Sequence, residues 1–105
     1  MRACNLIAAA LSLNLLFAGA ASAQQALSDK AGCTVCHSTQ KNSIGPAYHS
    51  IAVKYKGKPD AVALLTERVR KGSKGVWGTL PMPPTPRERI SDADLKALIS
   101  WVLVQ

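Results

Sequence analysis

The sequence predicts an all-α fold in which short helices are joined by long loops. Several segments place apolar residues three and four positions apart, the spacing that gives a helix one apolar face. No run of alternating apolar and polar residues is long enough to form a sheet. Glycine and proline separate the helical segments, and residues 72–86 contain three glycines and four prolines, which predicts a loop.

The beginning of the chain is typical of a secretory signal peptide. Met1–Asn5 carries one positive charge, 6–18 is an apolar run, and 21–23 is the small-residue cleavage pattern Ala-Ser-Ala. We therefore predict a signal peptide over 1–23, cleavage after Ala23, export to the periplasm, and a mature domain over 24–105. A retained membrane anchor is the alternative, but the apolar run is shorter than the roughly 20 residues that span a bilayer.

The segment after the signal peptide holds the pattern Cys-Thr-Val-Cys-His at residues 33–37, which is the pattern for covalent attachment of a c-type haem. Positions three and four apart share one face of a helical turn, so all three side chains can point at one flat ring. We predict that Cys33 and Cys36 form thioethers with the haem and that His37 binds its iron. We call residues 33–37 the haem motif.

A redox dithiol and a structural zinc site are the alternatives for these cysteines. A redox dithiol does not require a histidine directly after the second cysteine. A structural zinc site needs four ligands, and His49 is the only other His or Cys of the mature chain. Haem attachment is therefore the favoured interpretation.

A haem would also solve a problem of size. A domain of about 80 residues buries only a small core by itself and usually needs additional stabilisation, such as a disulfide, a metal or a bound cofactor. The whole chain has one Phe, two Trp and two Tyr, and the two mature cysteines share one motif, which leaves no disulfide framework. The porphyrin can supply the missing apolar centre, so we predict that the haem-free chain is largely unfolded.

The elements around the haem motif follow from local pattern. Ala26–Ala31 is predicted to be a short helix that leads into the motif, and Lys41–Gly45 a polar turn before Pro46. Ala47–Tyr55 is predicted to be a helix, and Gly57 and the Pro that follows end it. Its apolar positions are Tyr48, Ile51, Ala52 and Tyr55.

Two further helices complete the chain. Asp60 opens the first, and Gly72 follows its end. Ser91 and Asp94 resemble a capping box that opens the second. The apolar positions are Ala61, Leu65 and Val69 in the first helix and Leu95, Leu98, Ile99 and Val102 in the second.

The second axial face of the iron needs a ligand from elsewhere in the chain. The mature sequence offers one methionine, Met82, and one further histidine, His49. Met82 lies between prolines, which reduce the entropy that the loop loses when it becomes ordered. We predict that Met82 is the second ligand; a gap-filling core position is the alternative. His49 follows His37 closely on the next helix and is predicted to be exposed to solvent.

Five stretches of the mature chain resemble class I cytochromes c, and the bacterial cytochrome c-551 group in particular. They are Gly32-Cys33-x-x-Cys36-His37, Gly45-Pro46-Ala47-Tyr48, Gly72-Ser73-x-Gly75-Val76-Trp77-Gly78, Pro81-Met82-Pro83-Pro84 and Trp101-Val102-Leu103. The resemblance implies a small class I cytochrome c fold, with short helices wrapped around one covalent haem. It also implies that the Pro46 carbonyl accepts a hydrogen bond from the axial imidazole, and that Trp77 and Arg68 hold a haem propionate. Plain packing for Trp77 and a solvated helix face for Arg68 are the alternatives.

An iron with both axial positions filled by side chains has no vacant site for a substrate. We therefore predict that the protein is not an enzyme but a periplasmic one-electron carrier between respiratory donors and a terminal reductase or oxidase. A fixed haem subunit of a periplasmic oxidoreductase and a ligand-binding haem protein are the alternatives.

The charge of the mature chain suggests the kind of partner. Cleavage removes one of 13 basic residues and none of the 6 acidic ones, so the formal charge falls from +7 to +6. Basic side chains around an exposed haem edge could steer redox proteins with acidic docking surfaces, although solubility alone would also explain them. These residues are Lys41, Lys54, Lys56, Lys58, Arg70, Lys71 and Lys74. We expect a monomer that neither binds nucleic acid nor inserts stably into a membrane.

Overall fold

The computed structural model describes residues 19 and 21–105. The helical elements are α1 (21–30), a one-turn 3-10 helix (Cys33–Val35), α2 (Tyr48–Tyr55), α3 (Ala61–Lys71) and α4 (Asp92–Val102). Within this part of the chain no strand forms, and the backbone pairing outside helices and turns includes one isolated antiparallel bridge between Ser73 and Met82. The predicted all-α fold is therefore confirmed.

The helix ends follow from particular residues. The hydroxyl of Ser91 accepts a hydrogen bond from the backbone N–H of Asp94 at 3.2 Å, which caps the start of α4 as expected. At the end of α3, Gly72 takes a φ of 80°, a left-handed value that glycine adopts without strain. Asp60 precedes α3, but its side chain makes no capping hydrogen bond. Ala47 is extended, so α2 begins one residue later than predicted.

Helix α1 begins earlier than the sequence pattern indicated. The prediction placed its start at Ala26, whereas the described chain is already helical from residue 21. Residues 21–25 read Ala-Ser-Ala-Gln-Gln, in which alanine and glutamine are good helix formers and no glycine or proline occurs, so nothing local stops the helix. The predicted cleavage point after Ala23 lies within it, and the rest of the predicted signal peptide, 1–18 and 20, lies outside the described residues. No helix in the described part is long and apolar enough to cross a membrane.

The buried core is a thin layer in which α4 packs on α2 and α3. Its buried members are Ala31, Tyr48, Ile90, Leu95, Leu98, Ile99 and Val102. The predicted apolar positions of α4 are all among them, which confirms the face that this helix buries. Most of this layer also borders a large cleft, so the protein covers one side of its core and leaves the other side to the cleft.

Tyr48 joins three elements of this core. Its hydroxyl lies 2.5 Å from the Oγ of Ser28 in α1, and its ring meets the ring of Trp101 in α4 edge to face, with centroids 5.7 Å apart. Burial raises the pKa of Tyr48 to about 12, so the phenol stays protonated and neutral. Both Ser28 and Tyr48 are buried, and their hydrogen bond satisfies a polar pair that would otherwise be costly to enclose.

Candidate haem-binding site

An open, mainly apolar cleft lies beside the core. It encloses about 1210 Å³ between the atoms, its open mouth included. Its walls come from the haem motif, α2, the end of α3, the loop over 72–86 and α4. The cleft is lined by every site residue that the sequence predicted, namely Cys33, Cys36, His37, Pro46, Arg68, Trp77 and Met82.

The haem motif forms one tight turn at the cleft wall. The carbonyl oxygen of Cys33 accepts hydrogen bonds from the backbone N–H groups of Cys36 at 3.2 Å and His37 at 2.9 Å. Gly32 enters the turn with a φ of 81°, in the left-handed region. The two thiols are not joined to each other, and both border the cleft with the imidazole. This turn can therefore present two thiols and an imidazole to one flat ring.

The local chemistry separates haem attachment from its alternatives. Burial raises the pKa of the Cys33 thiol above its ordinary value, whereas redox-active dithiols depend on a lowered one. Among residues 19 and 21–105, no group of three or more His, Cys, Asp and Glu side chains is arranged to hold a metal ion, which leaves a zinc site without its ligands. An apolar cleft with two thiols and an imidazole on its wall fits a covalently bound porphyrin.

The orientation of His37 is fixed by its neighbours. Its Nδ1 lies 2.7 Å from the carbonyl oxygen of Pro46. A carbonyl only accepts, so Nδ1 must donate, which leaves the lone pair of Nε2 free for a metal. The ring of Tyr48 stacks on the imidazole with centroids 5.6 Å apart and planes at 21°. His37 is therefore held by a hydrogen bond at one nitrogen and by a ring across its face.

Gly45 permits this close packing because it has no side chain. A Cβ at this position would stand 2.7 Å from Cε1 and 3.0 Å from Nδ1 of His37. The backbone N–H of Gly45 donates to the carbonyl of Cys36 at 2.8 Å, which fixes the approach of the two segments. The sequence pattern identified the Gly-Pro step but not this steric reason for the glycine.

We therefore expect Gly45→Ala to disturb the imidazole rather than the fold as a whole. The new methyl group should push the ring away from Pro46 and lower the stability of the holoprotein by about 1–3 kcal/mol, the usual cost of overpacking. The measurement is proton exchange at His37 Nδ1 by NMR, which should become faster as the hydrogen bond weakens.

Gly57→Ala is the matched control for this substitution. Gly57 has a φ of 75° and no atom within 4 Å of an added Cβ, so alanine there strains the backbone without touching His37. Stability should fall modestly while exchange at His37 stays as in the unaltered protein. Equal exchange rates in the two variants would contradict the steric role of Gly45.

Met82 is held in the cleft wall by its backbone. Its N–H donates to the carbonyl of Ser73 at 2.8 Å, and its carbonyl accepts from the N–H of Ser73 at 3.0 Å. A Cβ on Gly72 would stand 2.7 Å from the Met82 carbonyl, so only glycine admits this approach. His49, the other candidate, is exposed as predicted, does not line the cleft, and has its Nδ1 2.8 Å from the carbonyl of Gln105.

Arg68 and Trp77 both line the cleft and have partners that the sequence analysis missed. Arg68 donates a hydrogen bond to the hydroxyl of Tyr55, a residue assigned only as an apolar position of α2. The Nζ of Lys54 lies 5.0 Å from the centre of the Trp77 ring, a cation–π distance. Trp77 is 42% exposed. A propionate-binding role for Arg68 and Trp77 stays a prediction.

The predicted ring of basic residues is wrong at Arg70. Its side chain is 15% exposed and pairs with Asp92 at 2.8 Å, because the end of α3 lies against the start of α4. Lys71 is exposed but pairs with Glu67 at 2.8 Å. Lys74 is exposed and lines the cleft, which agrees with a position in the predicted ring of basic residues.

Comparison with known proteins agrees with this geometry. The family model for cytochrome c matches residues 21–104. Cytochrome c2 of Rubrivivax gelatinosus is 60% identical over 77 residues, which cover 73% of this chain and 91% of that protein. Cytochrome c-551 of Allochromatium vinosum is 44% identical over 86 residues, which cover 82% of this chain and 89% of that protein.

A solved structure shows the same likeness in three dimensions. The crystal structure of wild-type cytochrome c552 of Nitrosomonas europaea aligns with a TM-score of 0.71 at 44% identity, covering 76% of this chain and 96% of that one. The expected resemblance to class I cytochromes c is thus confirmed. The chain belongs to the cytochrome c family, as a small electron carrier whose cofactor is haem c, covalently bound at the haem motif.

Proposed function

We propose that the protein is a periplasmic one-electron carrier whose haem iron is bound by His37 on one face and Met82 on the other. One observation carries this proposal: the hydrogen bond from His37 Nδ1 to the Pro46 carbonyl, at 2.7 Å, leaves Nε2 free to bind a metal, and His37 lines the same cleft as Met82. When bound there, the haem supplies reversible gain and loss of one electron.

The side chains around the site have separate tasks. Cys33 and Cys36 hold the porphyrin, and the carbonyl of Pro46 makes the imidazole of His37 a more basic ligand by accepting a hydrogen bond from its Nδ1–H. Once the haem is bound, the apolar lining would keep water away from it and would disfavour the additional positive charge of oxidised iron. With His37 and Met82 both bound to the iron, no ligand position would be left for a substrate, so we propose that the protein carries electrons and is not an enzyme.

Trp77 and Arg68 suit the negatively charged edge of the haem. An indole N–H and a guanidinium are both hydrogen-bond donors, and both side chains line the cleft. Tyr55 holds the guanidinium in place through its hydroxyl. We assign propionate binding to these two residues.

An optical redox titration of the purified holoprotein tests the ligand set. We expect one reversible one-electron transition, a low-spin iron in both states, and the weak far-red band of sulfur-bound ferric haem. A high-spin oxidised iron with water bound would remove Met82 from the proposal.

Export is tested by the mature protein itself. The haem protein isolated from the periplasmic fraction should lack residues 1–23, and its N-terminal sequence should begin at Gln24. A mature chain that retains Met1 would contradict this.

We further propose that the carrier is a monomer whose partners are redox proteins with acidic docking surfaces.

The ionic-strength dependence of electron transfer tests the charge of that surface. Lys54 lies over Trp77 and Lys74 lines the cleft, so both place positive charge beside the haem edge. The second-order rate with an acidic redox partner should fall several-fold as ionic strength rises from about 20 to about 200 mM. Lys54→Gln and Lys74→Gln should each lower the low-salt rate.

Lys96→Gln provides the control, because Lys96 is exposed on α4 and does not line the cleft. It changes the net charge by the same amount and should leave the low-salt rate nearly unchanged. A rate that ignores ionic strength, or that responds equally to all three variants, would show that the positive charge serves solubility alone.

The cleft mouth supports a second candidate, a fixed haem subunit of a periplasmic oxidoreductase. Ile44 is 61% exposed and Leu80 is 69% exposed, and both line the cleft. An apolar rim of this kind suits either brief docking or permanent assembly. Gel filtration of untagged protein from a native extract separates them: a free carrier elutes at the monomer mass, whereas a fixed subunit elutes with its partner.

A further inference from the structure

Arg70, at the end of α3, reaches across to the segment that follows the Met82 loop. Its Nη1 donates to the carbonyl of Thr85 at 3.3 Å, and its Nη2 donates to the carbonyl of Ile90 at 2.9 Å. The same Nη2 pairs with Oδ1 of Asp92 at 2.8 Å. Nε has no hydrogen-bond partner among the described residues, so the two outer nitrogens set the position of the guanidinium.

Thr85 is fastened to α3 through both of its backbone groups. Its N–H donates to the carbonyl of Val69 at 2.8 Å, and its carbonyl accepts from Arg70. Thr85 is also buried, so a carbonyl left without a donor there would be costly. Adjacent residues of one helix end therefore hold this point of the chain from two sides.

Two prolines connect Thr85 to Met82. Pro83 and Pro84 have fixed φ angles, which make the segment between Met82 and Thr85 stiff. A movement of the Thr85 backbone therefore also moves the Met82 backbone. At the other end, Met82 is bridged to Ser73, only two residues beyond the end of α3. The position of the Met82 backbone is thus set by α3 at both ends of a stiff segment.

We propose that Arg70 is a positioning residue that keeps Met82 on the iron by fastening the far end of its loop. The inference rests on the proposed ligation by Met82. Arg70 itself does not line the cleft, but loss of its guanidinium leaves the carbonyls of Thr85 and Ile90, two residues that do line it, without this donor. The consequence is faster departure of the sulfur from the metal, while the overall fold persists.

Arg87 makes a matched comparison possible. Its Nε pairs with Oδ2 of Asp92 at 3.0 Å, the other oxygen of the carboxylate that Arg70 uses, and its side chain is 73% exposed. Arg87, followed by Arg70, holds the pKa of the Asp92 carboxyl below its ordinary value. Arg87 thus shares the ion pair but makes no hydrogen bond to the carbonyl of Thr85 or Ile90.

The experiment compares Arg70→Gln, Arg70→Lys and Arg87→Ala as oxidised holoproteins. Each is mixed with cyanide, which replaces Met82 when the sulfur leaves the iron, and the rate at saturating cyanide reports the opening of the loop. We expect Arg70→Gln to raise this rate at least about tenfold, because it removes charged donors from two enclosed carbonyls. The rate for Arg70→Lys should lie between those of the unaltered protein and Arg70→Gln, since an ammonium group cannot donate to both carbonyls with the planar geometry of a guanidinium.

Arg87→Ala should stay within about twofold of the unaltered protein, since only an exposed ion pair is lost. Equal rates for Arg70→Gln and Arg87→Ala would overturn the inference while leaving Met82 ligation intact. Absence of the far-red sulfur band in the unaltered protein would instead overturn the ligation itself.

Global unfolding, followed by circular dichroism in denaturant, distinguishes local from general loosening. The positioning role requires the cyanide rate in Arg70→Gln to exceed the global unfolding rate by a wide margin. If the two rates rise together, Arg70 merely stabilises the fold and the inference fails. Arg70→Lys keeps charge and most of the stem, so it provides the same comparison if the glutamine variant does not fold.

Discussion

Met82→Ala is expected to change the protein more than any other single substitution in the loop. If Met82 binds the iron as proposed, loss of its thioether would open one ligand position to water and to added ligands. The oxidised haem should become high-spin and bind cyanide rapidly, and the reduction potential should fall by on the order of 100 mV or more, because sulfur favours the reduced iron. Visible absorption and a redox titration measure these effects.

The fold should survive this substitution. Met82 is held through its backbone bridge to Ser73, which an alanine can form equally well. Thr79→Ala is the control, since Thr79 is exposed on the same loop and does not line the cleft. It should leave the spectra and the potential unchanged. Spectra of Met82→Ala that match the unaltered protein would show that another group binds the iron.

The double variant Cys33→Ala/Cys36→Ala, prepared without haem, is expected to be largely unfolded. All of the buried core residues except Ala31 also line the cleft, so without the porphyrin the core would lack the apolar group that is expected to pack against it there. Small domains keep a net stability of only about 5–15 kcal/mol, so one that lacks a large apolar packing partner has little margin left. Far-UV circular dichroism should show most of the helical signal lost.

The single variant Cys33→Ala is the control for the double variant, because it loses a cysteine but can still bind haem. It retains Cys36, so one thioether can still form, and the protein should fold around its haem with a poorer yield of mature material. A native-like spectrum and a cooperative melting transition in the haem-free double variant would show that the chain needs no cofactor to fold.

The sequence carried enough local pattern to predict the helices and the site lining. The apolar spacing of α4 predicted its buried face, and Gly72 predicted the end of α3, because both features depend on neighbours within one or two turns. The haem motif predicted the cofactor since its chemistry is contained in five consecutive residues. Met82 could be singled out because residues 24–105 contain no second methionine.

Contacts between distant segments could not be predicted in the same way. Arg70 looked like one more surface cation, and only the packing of α3 against the start of α4 buries it beside Ile90 and Asp92. Tyr55 fitted an apolar pattern, which says nothing about where its hydroxyl points. The partners of these side chains lie 13 to 22 residues away, and no periodicity encodes that pairing.

The hydrogen bond between Ser28 and Tyr48 also sets how far the beginning of the chain can be trimmed. Tyr48 stacks on His37, so Ser28 indirectly supports the imidazole from α1. A tag, tether or electrode linker attached ahead of residue 24 leaves that support in place. A deletion that removes Ser28 would leave the buried hydroxyl of Tyr48 without this hydrogen-bond partner. A shortened form of the protein for attachment to an electrode should therefore retain Ser28.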